Sequence, residues 1–97
     1  MKVFWTDTAV KHLSAIYQYI AQNSPQYAIR MIDRLTRRSQ QIANFPLSGR
    51  VVSEFETKQI REVIEGSYRI IYYIKPNQID ILAVLHGSQE IVPSEEE

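Results

Sequence analysis

The chain has 97 residues, enough for one domain with a single hydrophobic core and too few for two. Its 11 Lys and Arg residues balance 11 Asp and Glu residues, which excludes a uniformly basic protein wrapped around nucleic acid. With no cysteine and two histidines, disulfides, thiol catalysis and cysteine-ligated metal centres are excluded, and we expect no metal and no cofactor.

Uncharged apolar runs are short throughout the chain. The longest, such as Ile81–His86, fall far below the roughly 20 residues that span a bilayer. The N-terminal segment Met1–Asp7 lacks the apolar core of a signal peptide. We therefore expect a cytoplasmic protein with no membrane partner.

The chain begins with a predicted strand and helix. Lys2–Trp5 is apolar and aromatic, which favours a short strand. Thr6 or Asp7 then supplies a side-chain oxygen that caps a helix, and the helix is predicted to end at Asn23. Val10 and Tyr17 widen an apolar stripe along it, whose residues recur at helical spacing: Ala9, Leu13, Ile16 and Ile20.

A second helix follows after a short link. Ser24 is a predicted N-cap, and Pro25 suits the first helical position, where a missing N–H loses no hydrogen bond. The helix is predicted to run to about Asn44, and the link Asn23–Ser24 forces a tight hairpin. Its apolar stripe comprises Ala28, Met31 or Ile32, Leu35 and Ile42. Its opposite face is interpreted as solvated surface with one Asp33–Arg37 ion pair, or alternatively as a contact for an acidic partner, and it carries Arg30, Arg34, Arg37 and Arg38.

Proline and glycine within Phe45–Arg50 end the helical pattern, and the remainder predicts strands. Gly66–Ser67 suits a two-residue type II′ turn, which pairs Ile64 with Arg69. The predicted extended segments are Val51–Ser53, Gln59–Ile64, Tyr68–Ile74 and Ile79–His86, with a further turn at Lys75–Gln78. The last segment is the most apolar, which favours an interior position in the sheet.

This order predicts an α+β fold: an N-terminal strand, a helical hairpin and a three-stranded antiparallel meander, with the helices packed on one sheet face. The other face is expected to be open or concave, and an uncovered face needs polar residues or a partner. We divide the chain into one domain, residues 1–89, and an acidic tail, residues 90–97. Residues 1–89 hold all 11 basic residues and 7 acidic ones, a net charge of +4.

The ordered set of motifs resembles the RelE/ParE toxin superfamily over roughly residues 2–89 and is most similar to its ParE-like, plasmid-stabilisation branch. The strongest part is the run Gly66–Tyr72 with His86 at the end of the next strand. The residues that carry the resemblance are Trp5–Thr6, Ala9, Leu13, Ser24–Pro25, Ala28, Phe45–Pro46, Gly49–Arg50, Arg61–Glu62, Tyr68–Tyr72 and Val84–His86.

The resemblance implies a bacterial toxin of a type II toxin–antitoxin system, which arrests growth and is neutralised by a small antitoxin in a heteromeric complex. Toxins of the ParE branch poison DNA gyrase, so inhibition of gyrase or another topoisomerase, with no small-molecule substrate, is the first hypothesis. Toxins of the RelE branch cut messenger RNA on the ribosome without a metal, so such an endoribonuclease is the alternative. A non-toxic antitoxin-binding relative is the third. Whether the chain is an enzyme stays open, and the few catalytic candidates favour a protein that is not.

Arg69 lies inside an otherwise apolar strand and is the first candidate for the functional site. The matching arginine of the RelE branch contacts the scissile phosphate, which a guanidinium grips through two parallel hydrogen bonds. The alternative is an ion pair across the hairpin with Glu65 or with Glu62, which lies diagonally on the same face. In the nuclease branch that the chain resembles, a histidine near this position can act as general acid or base, so His86 is a candidate for that role. The alternative is a strand-end residue that hydrogen-bonds a turn.

For a nuclease, the catalytic candidates are Arg69, His86, Arg61 and Glu62. The surface that binds the target or the antitoxin is predicted to contain Arg50, Arg61, Arg69, Tyr73 and His86. A tight turn at Gly49 presents Arg50. The alternatives are that Arg50 acts as a cation at the C-terminus of the preceding helix or pairs with Glu54. Many relatives place an arginine near position 89, where this chain has Gln89, and this difference weakens the nuclease hypothesis.

Two further expectations concern burial. His12 is expected to be an exposed residue of the first helix and is assigned no role. Tyr72 and Tyr73 point to opposite faces of their strand, so we expect only one of them to be buried beneath the helices.

Overall fold

The fold is a five-stranded sheet with two helices packed on one of its faces. A computed structural model describes residues 1–87, so the predicted tail, residues 90–97, the domain boundary at residue 89 and Gln89 lie outside the described residues. The elements are β1 (Lys2–Trp5), α1 (Asp7–Ala21), α2 (Pro25–Asn44), a 3₁₀ turn (Pro46–Ser48), β2 (Arg50–Val51), β3 (Ile60–Glu65), β4 (Tyr68–Ile74) and β5 (Gln78–His86). The predicted α+β order is confirmed.

Both helices begin at capping residues that the sequence predicts. The hydroxyl groups of Thr6 and Ser24 each accept a hydrogen bond from the backbone N–H three residues later, at 3.2 Å in both helices. α1 ends at Ala21, two residues before the predicted end, because the N–H groups of Asn23 and Ser24 bond the Ile20 carbonyl and turn the chain toward the second cap. Of the helices within residues 1–87, none is long and apolar enough to cross a membrane.

The main core lies between the helices and the sheet. Its buried residues are Ala9, Met31, Leu35, Ile42, Val63, Ile70, Tyr72, Ile79, Ile81 and Val84. The four-residue stripes of both helices are confirmed, with Met31 rather than Ile32 as the buried residue at that position of α2. Val10 and Tyr17, predicted to widen the α1 stripe, are exposed. Tyr72 is buried and Tyr73 is exposed, as expected for neighbours that point to opposite faces.

The strand order across the sheet is β1-β5-β4-β3-β2. β5 runs between β1, to which it is parallel, and β4, so its predicted interior position is confirmed. The β3–β4 hairpin has the predicted register with Ile64 opposite Arg69, and Gly66 adopts the φ of 60° that a type II′ turn requires at its first position. The extended piece expected at Val51–Ser53 begins one residue earlier and forms the edge strand β2, paired with β3.

The sheet face away from the helices is only partly open. The segment after β2 contributes Val52 to a second buried cluster with Ile60 and Ile71. Phe55 and Leu85 pack against this cluster. The chain therefore covers part of this face itself.

A β-bulge in β5 changes which residues face the helices. Ile81 and Ala83 pair with successive residues of β4, so Leu82 between them has no partner of its own. Ile81 and Val84 both belong to the main core, whereas Leu82 and Ala83 pack on the other face. Beyond the bulge, the β5 residues that face the helices are therefore displaced by one position along the strand. As a result, His86 lies on the helix side of the sheet.

We expect Thr6→Ala to lower the free energy of unfolding by about 1–2 kcal/mol. The Thr6 hydroxyl caps α1 and also donates to the Ile81 carbonyl at 2.8 Å, so the substitution breaks a link between α1 and β5 as well as the cap. Thr6→Ser keeps the hydroxyl and serves as the control. Urea unfolding followed by circular dichroism measures the difference, and equal stability of the two variants would contradict this account.

Candidate functional site

The candidate site is built around a buried carboxylate. Glu62 lies within β3 on the face away from the helices, and only 5% of the residue is exposed. A charge removed from water is strongly destabilising unless it is paired and hydrogen-bonded. The strands beside Glu62 must therefore supply cations.

Two arginines supply these cations, one from each neighbouring strand, and together with Glu62 they form what we call the Glu62 cluster. Arg50 of β2 lies directly opposite Glu62, and its Nε donates to Oε2 at 2.5 Å. Arg69 of β4 lies diagonally across, where its Nε donates to Oε1 at 2.7 Å and its Nη2 binds the same oxygen. The ion pair of Arg69 with Glu62 is thus confirmed. Arg50 pairs with Glu62 rather than with Glu54, because the β2–β3 register sets it opposite Glu62.

These contacts keep Glu62 ionised. Burial alone would raise the pKa of its carboxyl group. The hydrogen bonds from Arg69 and Arg50, with the charges of both guanidinium groups, outweigh burial, so the pKa of Glu62 lies below its ordinary value. A carboxylate stabilised in its charged form, with both oxygens engaged, is a poor proton acceptor.

The two arginines differ in exposure. The Arg69 side chain is 13% exposed, whereas the Arg50 side chain is 72% exposed. Arg50 binds Glu62 through Nε, and its Nη1 and Nη2 make no hydrogen bond with any residue of 1–87. Both arginines line an open groove of about 440 Å³, whose wall includes the exposed apolar side chain of Ile64. The groove therefore offers unused N–H donors beside apolar surface.

Two other predicted site residues lie apart from the Glu62 cluster. Arg61 points to the helix side of the sheet, and its guanidinium donates to the backbone carbonyls of Lys58 and Gly49 at 3.1 and 2.9 Å. Tyr73 shares the face of Arg69 but lies about 13 Å further along β4, beside a different groove. The structure thus places Arg61 against the backbone and Tyr73 outside the groove of the cluster.

His86 lies on the opposite side of the sheet from Arg69. The two residues are close in the β4–β5 ladder, where His86 is paired with Tyr68, the residue before Arg69. The β-bulge sends His86 to the helix side, where its ring meets the Tyr68 ring edge to face with 5.8 Å between centroids. There it lines a second groove with His12. The structure does not bring the side chains of Arg69 and His86 together on one face.

His12 corrects a prediction, because it is half-buried rather than exposed. Its Nδ1 accepts a hydrogen bond from the Val84 N–H at 3.2 Å. β1 ends opposite Ile81, so this N–H lies where β1 no longer runs beside β5. Burial lowers the pKa of His12, which favours the neutral ring that this bond requires. In the sequence, the position of His12 next to Leu13, a member of the apolar stripe, is the feature that could have predicted its partial burial.

Three of the four arginines on the polar face of α2 form ion pairs within the chain. Arg34 Nη2 lies 2.8 Å from Glu65 Oε2, so Glu65 is engaged by α2 and is not the partner of Arg69. The predicted pair of Arg37 with Asp33 forms at 2.6 Å. In the part of the chain that the structure describes, no three histidine, aspartate or glutamate side chains are grouped to hold a metal ion.

Comparisons with known proteins converge on one family. A family model described as the ParE toxin of the type II toxin–antitoxin system, parDE, matches residues 3–91. The chain is 35% identical over 89 residues to a protein named Toxin RelE2 from Caulobacter vibrioides, covering 91% of this chain and 97% of that protein. It also matches a solved chain described as the chromosomal ParDE TA system from P. aeruginosa, with a TM-score of 0.72 and 21% identity over 89% of this chain and 95% of that one. At that identity, the structural match supports the fold alone.

We expect acid to destabilise the wild-type chain more steeply than a Glu62→Gln variant. Because the pKa of Glu62 is lower in the folded chain, its carboxylate stabilises the fold fully above the ordinary value of 4.5 and loses this contribution as the pH falls through the folded-state pKa. Glutamine does not titrate, and it leaves Arg69 beside a neutral group at a cost of about 3 kcal/mol at neutral pH. Urea unfolding at neutral and acid pH measures both effects. If the Glu62→Gln variant lost stability equally steeply in acid, Glu62 would not be the carboxylate whose ionised form stabilises the fold.

Proposed function

We propose that this chain, which belongs to the ParE toxin family of type II toxin–antitoxin systems, arrests growth by binding DNA gyrase. As the toxin of such a system, it has a cognate antitoxin as its partner. Membership alone does not select the target, because one fold serves both gyrase poisons and ribosome-dependent nucleases in this superfamily. The choice rests on the resemblance to the ParE branch and on the geometry of the predicted site residues.

The observation that carries the proposal is the separation of Arg69 from His86. A nuclease that cleaves by proton transfer needs its phosphate contact and its acid or base within hydrogen-bond reach of one bound substrate. Here the sheet lies between the two candidate side chains. Glu62, the carboxylate that Arg69 binds, is also engaged by Arg50 and is held in its charged form. This arrangement supports binding at the Glu62 cluster rather than catalysis.

The groove itself has the composition of a protein-binding surface. Arginine is enriched where proteins contact one another, and most of the binding energy comes from a few such residues set among apolar contacts. Arg50 presents two guanidinium nitrogens that bond no residue of 1–87, and the exposed apolar side chain of Ile64 lines the same groove. A surface with carbonyl or carboxylate groups beside aliphatic side chains is its natural complement.

Ribosome-dependent cleavage of messenger RNA is the second candidate. It is favoured by the name of the relative called Toxin RelE2 and by the presence of two arginines in one groove, which suits a phosphate. In that case the acid and base would have to come from residues other than the Arg69 and His86 pair.

We expect the purified chain to reduce the rate at which DNA gyrase supercoils relaxed plasmid. Arg50→Ala removes the unused donors of the groove, so we expect it to weaken inhibition about tenfold, equivalent to about 1.4 kcal/mol. Arg37→Ala is the matched control, because it removes the same charge from an exposed arginine of α2 on the other side of the sheet. It should inhibit as strongly as the wild type.

Two outcomes would overturn this proposal at different levels. Supercoiling that is unchanged at a large molar excess of toxin would exclude gyrase as the target. Equal losses in the Arg50 and Arg37 variants would point to a general effect of charge and remove Arg50 from the binding surface.

We also expect growth arrest on induction without cleavage of translated messages. Primer extension on abundant messages, before and after induction, detects cleavage as new 5′ ends. New ends within translated codons would favour the nuclease candidate instead. Undisturbed growth would indicate a relative that binds an antitoxin but has no toxicity.

A further inference from the structure

The position of Arg50 depends on the turn that precedes it. The chain leaves α2, makes its 3₁₀ turn at Pro46–Ser48 and enters β2 through Gly49. Two side chains from the helix side of the sheet hold this turn, and neither belongs to the Glu62 cluster. They are Tyr72 of β4 and Arg61 of β3.

The Tyr72 hydroxyl bonds both ends of the turn. It donates to the Pro46 carbonyl at 2.6 Å and accepts from the Gly49 N–H at 3.0 Å. Tyr72 is fully buried, and burial raises the pKa of its hydroxyl, which keeps the donated proton in place. The phenol therefore fixes the separation between Pro46 and Gly49.

Arg61 holds the other polar group of Gly49. It is directly opposite Tyr72 in the β3–β4 ladder, so the two side chains lie on the same side of the sheet. Its Nη1 donates to the Gly49 carbonyl at 2.9 Å. One cross-strand pair thus binds both backbone groups of the residue before Arg50.

Only glycine fits between these contacts. A Cβ at Gly49 would lie 2.5 Å from the Tyr72 hydroxyl oxygen and 2.6 Å from the Glu62 carbonyl oxygen. The backbone of Gly49 is extended, so close approach rather than a positive φ is what requires glycine here. The turn is pressed against the strand that carries Glu62.

We propose that Tyr72 is a positioning residue for Arg50: from the helix side of the sheet, its hydroxyl fixes the 46–49 turn and so holds Arg50 against Glu62 on the opposite side. Tyr72 does not line the groove, so its effect passes through the backbone of Gly49. This role of Tyr72 rests on the proposed function only in assuming that Arg50 contacts the target. The geometry is the same whichever target is bound.

The test follows the Glu62 carboxyl carbon by NMR through an acid titration, in the wild type, Arg50→Ala, Tyr72→Phe and the double variant. Arg50→Ala removes a cation from Glu62, so we expect its pKa to rise toward the ordinary value. We expect Tyr72→Phe to shift the pKa in the same direction. The double variant should shift no further than Arg50→Ala alone, because the tyrosine acts only through Arg50.

Two further variants make the result decisive. Tyr68→Phe removes the same atom from the other end of the same strand and should leave the Glu62 titration unchanged. Arg61→Ala loosens the same turn while keeping the buried tyrosine, so it should reproduce the shift even if Tyr72→Phe fails to fold. An unshifted titration in folded Tyr72→Phe, or shifts that add in the double variant, would overturn the proposal. Because the Glu62 titration involves no target, it tests the role of Tyr72 independently of gyrase binding.

Discussion

The buried carboxylate of Glu62 is the constraint that organises the exposed face of this sheet. A charge almost removed from water needs cations, and they come from the strands on either side, Arg50 from β2 and Arg69 from β4. The pairing ties a two-residue edge strand to the middle of the sheet. It also anchors Arg50 through Nε on a strand, so the two guanidinium nitrogens that bond no residue of 1–87 face the groove.

Much of this arrangement could be predicted from local chemistry. Gly66–Ser67 sets the register of the β3–β4 hairpin, and that register alone places Glu62 diagonal to Arg69. The capping residues Thr6 and Ser24 likewise locate both helix starts, because a side-chain oxygen at that position satisfies a backbone N–H. In each case a contact within a few residues, or across one tight turn, decides the structure.

The face on which His86 lies and the partner of Arg50 depend on long-range contacts that local sequence patterns do not indicate. Strict alternation from Ile79 would place His86 on the face of Arg69, and the bulge reverses this. Leu82 and Ala83 are apolar and could lie on either face of a buried strand, so the sequence does not predict the bulge. The choice of Glu62 over Glu54 as the partner of Arg50 follows from the register of a two-residue strand, which a sequence pattern does not specify.

We propose that the groove beside the Glu62 cluster binds gyrase and not the ribosome. A photoreactive amino acid in place of Ile64, an exposed residue of the groove wall, tests this most directly when purified gyrase and purified ribosomes compete in one mixture. The same group at Ile29, an exposed residue of α2, controls for chance contact. We predict adducts with a gyrase subunit from position 64 and none from position 29. Adducts with ribosomal RNA or ribosomal protein from position 64 would contradict the claim.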